Sequence, residues 1–132
     1  MFVYGTLRPG LPNWERLLAG RTERAVPGRL AGVVLLDCGW YPAAVERPGA
    51  TGAIGEVVWV APDAWPAVLT ALDHFEGYDP ANPDRLYERV VRSVGTAEGT
   101  SVECWVYLAG ATLAGSGRPV VAGGDWLAHA SG

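Results

Sequence analysis

The 132-residue sequence contains no lysine, and all ten of its basic residues are arginine. This absence excludes an enzyme that forms a Schiff base through lysine and a P-loop nucleotide-binding protein, because both need the lysine amine. The arginines are scattered among fourteen acidic residues, so the net charge is -4 and no basic run occurs. Nucleic acid and anionic membrane surfaces are therefore poor partners for this chain.

Cysteine and histidine are also scarce, with two residues of each. Cys38 and Cys104 lie far apart and form no C-x-x-C motif, so we expect both to be reduced and buried. His74 and His129 lack the spacing of metal ligands, so we expect no zinc site and no metal. Neither a G-x-S-x-G nor a G-x-G-x-x-G motif occurs, which leaves serine hydrolases and dinucleotide-binding enzymes without support.

Long apolar runs are missing as well. No run reaches the roughly 18 residues that a membrane-spanning helix needs. The first residues lack the charged and apolar regions of a signal peptide, so we expect a cytoplasmic protein. The apolar share of 49% is that of a globular protein. We expect one domain over residues 1–132 with a core of its own.

Short apolar and β-branched runs predict a chain dominated by strands. The predicted strands are Phe2–Tyr4, Arg21–Val26, Leu30–Leu36, Ala43–Glu46, Gly52–Val60, Leu86–Val94 and Ser101–Leu108, with a turn at Pro27-Gly28 and a hairpin turn at Gly95–Thr100. The main helix is predicted between a cap at Asp63 and a stop at Gly77. Asn13 is predicted to cap a short helix over Trp14–Ala19, and a terminal helix is predicted after Asp125. This pattern predicts an α+β domain with a small mixed, curved or barrel-like sheet and one main helix.

Glu76 lies where the main helix is predicted to end, next to Phe75 and close to Tyr78. Apolar neighbours at a fixed backbone position would raise the pKa of this carboxyl group and make it a usable proton shuttle. The alternative is a solvated glutamate, slightly unfavourable at the negative end of the helix dipole. The local sequence by itself favours the solvated glutamate.

Two motifs together change that balance. The N-terminal motif is Phe2-Val3-Tyr4-Gly5-Thr6-Leu7-Arg8, followed by Gly10 and Asn13, and the second is Leu72-Asp73 with Phe75-Glu76-Gly77-Tyr78 and then Tyr87-x-Arg89. Both resemble signatures of the gamma-glutamylcyclotransferase-like family. Further matches follow in the expected order at Gly39-x-Tyr41-Pro42-Ala43, Gly55-Glu56-Val57, Trp105-Val106-Tyr107 and Gly124-Asp125-Trp126. The long Tyr78-to-Leu86 loop is similar to that of the bacterial branch, including butirosin-type cyclotransferases.

The resemblance implies a small barrel-like fold with one pocket. It implies that Glu76 is the catalytic acid/base, that the loop Tyr4-Gly5-Thr6-Leu7 binds the glutamyl group, and that Tyr87 lines the site. The implied activity is a gamma-glutamyl cyclotransferase, an acyltransferase- or lyase-type enzyme that works without a cofactor. Its expected partner is a small gamma-glutamyl compound, which releases 5-oxoproline and an amine or amino acid. The oligomeric state is open.

The residue types suit this chemistry. The α-amine of the substrate attacks its own γ-carbonyl, and one carboxylate can take a proton from the amine and return it to the leaving nitrogen, a contribution of typically ~10²–10⁴-fold. The N–H groups of Gly5, Thr6 and Leu7 suit a carboxylate or a developing oxyanion. Two alternatives are a family member that binds a small molecule without turnover, and an unrelated lyase or acyl-transfer activity with Glu76 as base.

Several other residues have two interpretations. Arg8 either pairs with the substrate carboxylate or lies exposed on the surface. Glu56 is either a partner in the site or a residue at the wet end of a strand. We expect Arg89 to be structural and paired with Glu56 or Asp73. For three tyrosines, the pocket wall and packing in the core or sheet are both open: Tyr41, Tyr87 and Tyr107.

Overall fold

The computed structural model describes residues 1–131, which form seven strands and four helices. The strands are β1 (Phe2–Val3), β2 (Thr22–Leu30), β3 (Val33–Asp37), β4 (Pro42–Glu46), β5 (Ala53–Val60), β6 (Tyr87–Thr96) and β7 (Ser101–Ala109). The helices are α1 (Pro12–Leu17), α2 (Trp65–Glu76), α3 (Ala111–Ala114) and α4 (Trp126–Ser131), with a 3₁₀ turn at Ala122–Gly124. The predicted α+β class with one main helix is confirmed.

The strands form a five-stranded sheet in the order β1-β5-β2-β6-β7 and a separate β3-β4 hairpin. Every strand pairing in residues 1–131 is antiparallel, where the sequence predicted a mixed sheet. Two connections are long and carry a helix, α1 between β1 and β2 and α2 between β5 and β6. In each case the two joined strands run parallel but are not neighbours, because one other strand lies between them in the sheet. The curled sheet stays open, since within the described part of the chain its outer strands β1 and β7 are not paired.

The β5 strand separates two apolar clusters. Val57 faces a cluster with Phe2 and Val26, whereas the next residue, Val58, faces a second cluster with Val68 and Leu72 of α2. Successive side chains of a strand point to opposite faces, so one strand supplies both cores. The main helix therefore covers one face of the sheet at β5, as its apolar pattern predicts.

The helix caps predicted at Asp63 and Asn13 are wrong, although the helices exist. By contrast, Asp125 in the predicted turn before the terminal helix does cap α4 by accepting the Ala128 N–H. The helix α2 begins after Ala64, and no side chain makes a hydrogen bond at this cap, so Asp63 does not cap it. Asn13 lies inside α1, which begins one residue earlier at Pro12. A proline in the first turn favours a helix start without a side-chain cap, because its φ is already helical and its missing N–H is not needed there.

The predicted end of α2 is confirmed. Gly77 takes the left-handed conformation with φ 66°, and its N–H reaches the carbonyl oxygens of Asp73 and His74. The Tyr78 N–H also donates to Asp73 O, at 2.9 Å. Glycine adopts this conformation without the strain that a Cβ brings, so the helix stops directly after Glu76.

Two strand boundaries differ from the prediction. The predicted turn at Pro27-Gly28 is wrong, because both residues lie inside β2. A Cβ at Gly28 would lie 3.1 Å from Gly95 O, so glycine here permits the close approach of β2 and β6. The predicted strand Leu30–Leu36 is divided at Gly32, whose φ of 74° reverses the chain between β2 and β3.

Two further expectations concern burial and membrane insertion. Cys38 and Cys104 are both free and buried, as predicted. Among the helices of residues 1–131, none combines the length and the hydropathy required to cross a membrane.

Candidate active site

A pocket of about 240 Å³ lies between the loop after β1, the β3-β4 turn, the end of α2 and the start of β6. Its lining residues are Met1–Leu7, Asn13, Trp40, Tyr41, Pro42, Phe75, Glu76, Leu86, Tyr87 and Tyr107. All six site residues named from the sequence are among them: Tyr4, Gly5, Thr6, Leu7, Glu76 and Tyr87. The fold therefore brings together two motifs that lie about 70 positions apart in the sequence.

Glu76 is the last residue of α2, and its side chain is partly buried where it lines the pocket. Burial raises the pKa of Glu76 from its ordinary value of 4.5 to about 8. Burial is the sole cause, since no ion pair or hydrogen bond from another described residue contributes to the pKa. An acid with a pKa this close to neutrality can both accept and donate a proton under physiological conditions.

The loop after β1, Tyr4–Leu7, supplies backbone donors to the pocket. The Gly5 carbonyl accepts the Arg8 N–H at 3.2 Å, which closes a turn. Within residues 1–131, no acceptor is found for the N–H groups of Gly5, Thr6 and Leu7. Successive unpaired N–H groups in a turn attract an anion, so this loop can hold a carboxylate or an oxyanion.

The hydroxyl groups of Tyr4 and Tyr87 are committed to the backbone. Tyr4 donates to Tyr107 O at 2.5 Å and accepts the Ala44 N–H at 3.2 Å. Tyr87 donates to Pro42 O at 2.8 Å. Both tyrosines are buried, so these bonds satisfy groups that would otherwise be costly to desolvate. Tyr87 therefore both lines the pocket and holds the β3-β4 hairpin against β6.

Tyr107 links the pocket to an ion pair between α2 and β6. Its hydroxyl donates to Asp73 Oδ1 at 2.6 Å, and Arg89 Nε lies 2.9 Å from the same oxygen. The Arg89 contact is an ion pair without good hydrogen-bond geometry, since Nε has no hydrogen-bond partner in the described chain. Its guanidinium also lies 4.6 Å from the ring centre of Trp105 and 5.4 Å from that of Tyr78. The predicted pairing of Arg89 with Asp73 is confirmed.

Three of the four tyrosines that line the pocket stay neutral. Burial is the main cause that raises the pKa of each hydroxyl, and the nearby charge of Glu76 raises it further at Tyr4, Tyr87 and Tyr107. Glu76 is thus the group with the pKa nearest to neutrality among the shifted side chains that line the pocket. These tyrosines can shape the pocket, and Glu76 is the lining group that can change its protonation state near neutral pH.

The surface interpretation of Arg8 is wrong. Arg8 is buried, and its Nε and Nη2 bind the two oxygens of Glu56 at 2.8 and 2.9 Å. Its Nη1 binds Asp125 Oδ1 at 2.9 Å. Glu56 is accordingly a structural partner of Arg8 and not a free carboxylate at the wet end of a strand. The guanidinium anchors the end of the Tyr4–Leu7 loop to β5 and to the segment before α4.

Some lining residues were missed or misread in the sequence. Trp40 lies at the tip of the β3-β4 turn and Leu86 at the start of β6, and the sequence indicated no role for either. Asn13 lines the pocket although it was interpreted as a helix cap. A tryptophan between glycine and Tyr-Pro in a predicted turn is the one feature that could have drawn attention, because turns run mostly over the protein surface.

Comparisons with known proteins identify the family of this chain. The family model described as "Gamma-glutamyl cyclotransferase, AIG2-like" matches residues 1–128. A search of curated protein sequences finds no match. Among solved structures, an AIG2-like protein from Mus musculus is similar, with 28% identity and a TM-score of 0.70 over 96% of this chain and 86% of its own.

Two microbial structures are also similar. YkqA from Bacillus subtilis shares 25% identity with a TM-score of 0.65, over 98% of this chain and 39% of its own. An uncharacterized protein from Pyrococcus horikoshii shares the fold, with 21% identity and a TM-score of 0.59 over 99% of this chain and 95% of its own. The match of the family model over nearly the whole chain settles the family. This protein belongs to the AIG2-like gamma-glutamyl cyclotransferase family.

Proposed function

We propose that the protein is a cofactor-independent gamma-glutamyl cyclotransferase that converts a small gamma-glutamyl compound into 5-oxoproline and a free amine or amino acid. One observation carries this proposal. Glu76, a carboxyl group without a partner in the described chain and with a pKa of about 8, lines the same pocket as the free N–H groups of Gly5, Thr6 and Leu7. The family supplies the general activity.

The reaction is an intramolecular acyl transfer. The α-amine nitrogen of the substrate forms a bond to the γ-carbonyl carbon, and the bond from that carbon to the leaving nitrogen breaks. Glu76, in its ionised form, takes a proton from the attacking ammonium and returns it to the departing nitrogen. The second proton that the attacking nitrogen loses on ring closure also goes to the released amine, which leaves as an ammonium. A pKa near the working pH makes both transfers accessible to one group, with a contribution of about 10²–10⁴-fold.

The substrate's negative charge would be held by neutral donors. Glu76 provides the one charged side chain among the lining residues of the described chain, and the nearby Arg8 is already paired with Glu56 and Asp125. The N–H groups of the Tyr4–Leu7 loop are therefore the candidate donors for the α-carboxylate or for the oxyanion at the γ-carbon. A fixed loop opposite a fixed carboxylate would hold the flexible glutamyl chain in its cyclising conformer, which lowers the barrier entropically.

The test is Glu76→Gln, assayed for 5-oxoproline release from a panel of gamma-glutamyl amides, amines and amino acids. We expect the variant to fold and to lose turnover by about 10²-fold or more. The matched control is Glu103→Gln, which makes the same change at an exposed position on β7 and should retain turnover. Full turnover in Glu76→Gln would refute the assignment of the catalytic group.

The same panel distinguishes this enzyme from a family member that only binds its ligand. A non-catalytic member would bind gamma-glutamyl compounds in calorimetry and release no 5-oxoproline over hours. Enclosing an ionisable carboxyl group without a partner is costly to a folded protein, and a binder of anionic ligands gains nothing from it. The burial of Glu76 therefore favours the enzyme.

A further inference from the structure

An exposed tryptophan lies at the outer end of the pocket. Trp40 is 91% exposed and Leu86 is 42% exposed, and both line the pocket, whereas Tyr4, Leu7 and Tyr87 are buried. This difference in exposure distinguishes an outer rim, Trp40 and Leu86, from an inner end that holds Glu76. Water around an indole is released when a ligand covers it, so an exposed indole at a pocket mouth is a ready contact for an apolar group.

The backbone that carries Trp40 is held in place. It lies in the tight turn between β3 and β4, where the Cys38 N–H donates to Tyr41 O at 3.0 Å. The Gly39 N–H donates to Asp37 Oδ1 at 2.8 Å, and the other oxygen of Asp37 lies 2.8 Å from His129 Nε2. A turn fixed at both sides loses little conformational entropy when a ligand binds, so the indole is a preorganised contact.

The same turn is also fixed relative to the inner end of the pocket. Pro42 follows it directly and packs against Gly5, where an added Cβ would lie only 2.7 Å from Pro42 Cγ. The Pro42 carbonyl accepts the Tyr87 hydroxyl at 2.8 Å. Trp40 therefore stands at a set position relative to the loop proposed to bind the glutamyl group.

On the basis of the proposed function, we propose that the Trp40 rim binds the leaving group of the substrate, and that this leaving group is an uncharged, hydrocarbon-rich amine, best an aromatic one. The glutamyl part must occupy the inner end, because its reacting nitrogen and carbonyl have to reach Glu76. The group on the departing nitrogen then extends outward to the rim. Trp40 is a specificity-determining residue in this arrangement.

The absence of charged side chains from the rim favours an uncharged leaving group. No lysine or arginine is among the described lining residues, and the Met1 ammonium is buried and donates to Val58 O. A leaving group with its own carboxylate therefore finds no cationic side chain at the rim. A cationic leaving group would find only two favourable contacts in the lining, the Glu76 carboxylate and the indole face. The reacting amine needs the carboxylate. A cationic amine could gain from the indole face as well, so the experiment includes one.

The experiment compares four amides of glutamate by kcat/KM for 5-oxoproline release: γ-glutamylbenzylamide, γ-glutamylmethylamide, the cationic amide of 1,4-diaminobutane, and γ-glutamylglycine. We expect the benzylamide to be the best substrate. Trp40→Ala should lower the benzylamide-to-methylamide ratio of kcat/KM by about 10- to 100-fold, whereas Trp40→Phe should retain most of it. The control Val91→Ala truncates another exposed apolar residue, 43% exposed and outside the pocket lining, and should leave the ratio as it is.

An unchanged ratio in Trp40→Ala, or a wild-type preference for the cationic or anionic amide, would overturn the proposal. If the wild-type protein releases 5-oxoproline from none of the four, the proposed function fails and binding decides the role of Trp40. Calorimetry on Glu76→Gln should then show tighter binding of the benzylamide than of the methylamide. Loss of this difference in the double variant with Trp40→Ala would support the rim contact, and equal binding of the two amides would exclude it.

Discussion

Gly5 and Pro42 are in such close contact that a Cβ on Gly5 would lie 2.7 Å from Pro42 Cγ and 2.9 Å from Pro42 Cδ. The proline ring cannot swing away, because it opens β4 and its carbonyl binds Tyr87. Gly5→Ala should therefore push the Tyr4–Leu7 loop away from the hairpin. We expect a loss of about 1–3 kcal/mol in the free energy of unfolding, together with a clear loss of kcat/KM.

The control is Gly95→Ala, the same change in β6. Its nearest neighbour to an added Cβ is Arg29 O at 3.9 Å, an ordinary contact, and its φ is not positive. Chemical denaturation and the 5-oxoproline assay on both variants give the comparison. Equal behaviour of the two variants would show that the contact between Gly5 and Pro42 does not position the loop.

The buried Arg8 should matter for stability. Arg8→Met removes a buried cation from the partly exposed carboxylates of Glu56 and Asp125, which we expect to cost about 1–3 kcal/mol. Because part of that cost is the stranded charge, the double variant Arg8→Met with Glu56→Leu should recover a measurable share in a double-mutant cycle. Urea denaturation measures the free energy of unfolding of Arg8→Met, Glu56→Leu and the double variant.

The matched control for Arg8 is the surface pair of Arg92 and Glu46, which are 2.7 Å apart. Arg92→Met should cost less than about 1 kcal/mol, since exposed ion pairs contribute little. If Arg8→Met were as mild as Arg92→Met, the guanidinium would not be anchoring the loop. A raised KM with unchanged stability would instead restore the interpretation that Arg8 binds the substrate carboxylate.

The sequence predicted those features that depend on residues close together in the chain. The periodicity of α2 and the glycine after Glu76 place the carboxyl group at a helix end, because both signals act within a few residues. The β6-β7 hairpin was equally readable from its alternation and its turn. By contrast, Pro27-Gly28 carries turn residues, yet Gly28 is required by the close approach of β6, a neighbour about 70 positions away.

The candidate site needed information that no local pattern holds. Glu76 and the Tyr4–Leu7 loop come together only through the fold, and only the family resemblance placed them in one pocket before the structure did. The partners of Arg8, at positions 56 and 125, are likewise distant in sequence, so the pairing of this buried guanidinium with two carboxylates was not predicted. The exposure of Trp40 depends on what does not pack against it, which the sequence does not record.

Glu76 should make the wild-type protein less stable as the pH rises. Below its ordinary pKa of 4.5 both folded and unfolded states hold the proton, so Glu76 has no pH-linked cost there. Between 4.5 and about 8 the unfolded chain ionises while the folded chain keeps its proton, and stability falls by about 1.4 kcal/mol per pH unit. Glu76→Gln should thus gain up to about 3 kcal/mol over the wild type at pH 7, and little at pH 4.

Thermal and urea unfolding at a series of pH values measure this gain. Glu103→Gln serves again as the control, because it removes one carboxyl group from an exposed strand position without touching the pocket. A gain for Glu76→Gln that disappears toward pH 4 would locate the cost of burial at this residue. A pH-independent difference would mean that the carboxyl group is solvated in the folded chain.

The rate of cyclisation should depend on the same ionisation. The reacting enzyme form has Glu76 ionised, so kcat/KM should rise about tenfold per pH unit below its pKa of about 8. Because the substrate binds with its amine as the ammonium, a falling limb should follow the pKa of that amine. A fluorinated γ-glutamyl substrate with a less basic amine separates the two, since it should move the falling limb and leave the rising limb in place. A rising limb near pH 4.5, or one that moves with the substrate, would remove Glu76 from the role of base and return it to that of a solvated glutamate at a helix end.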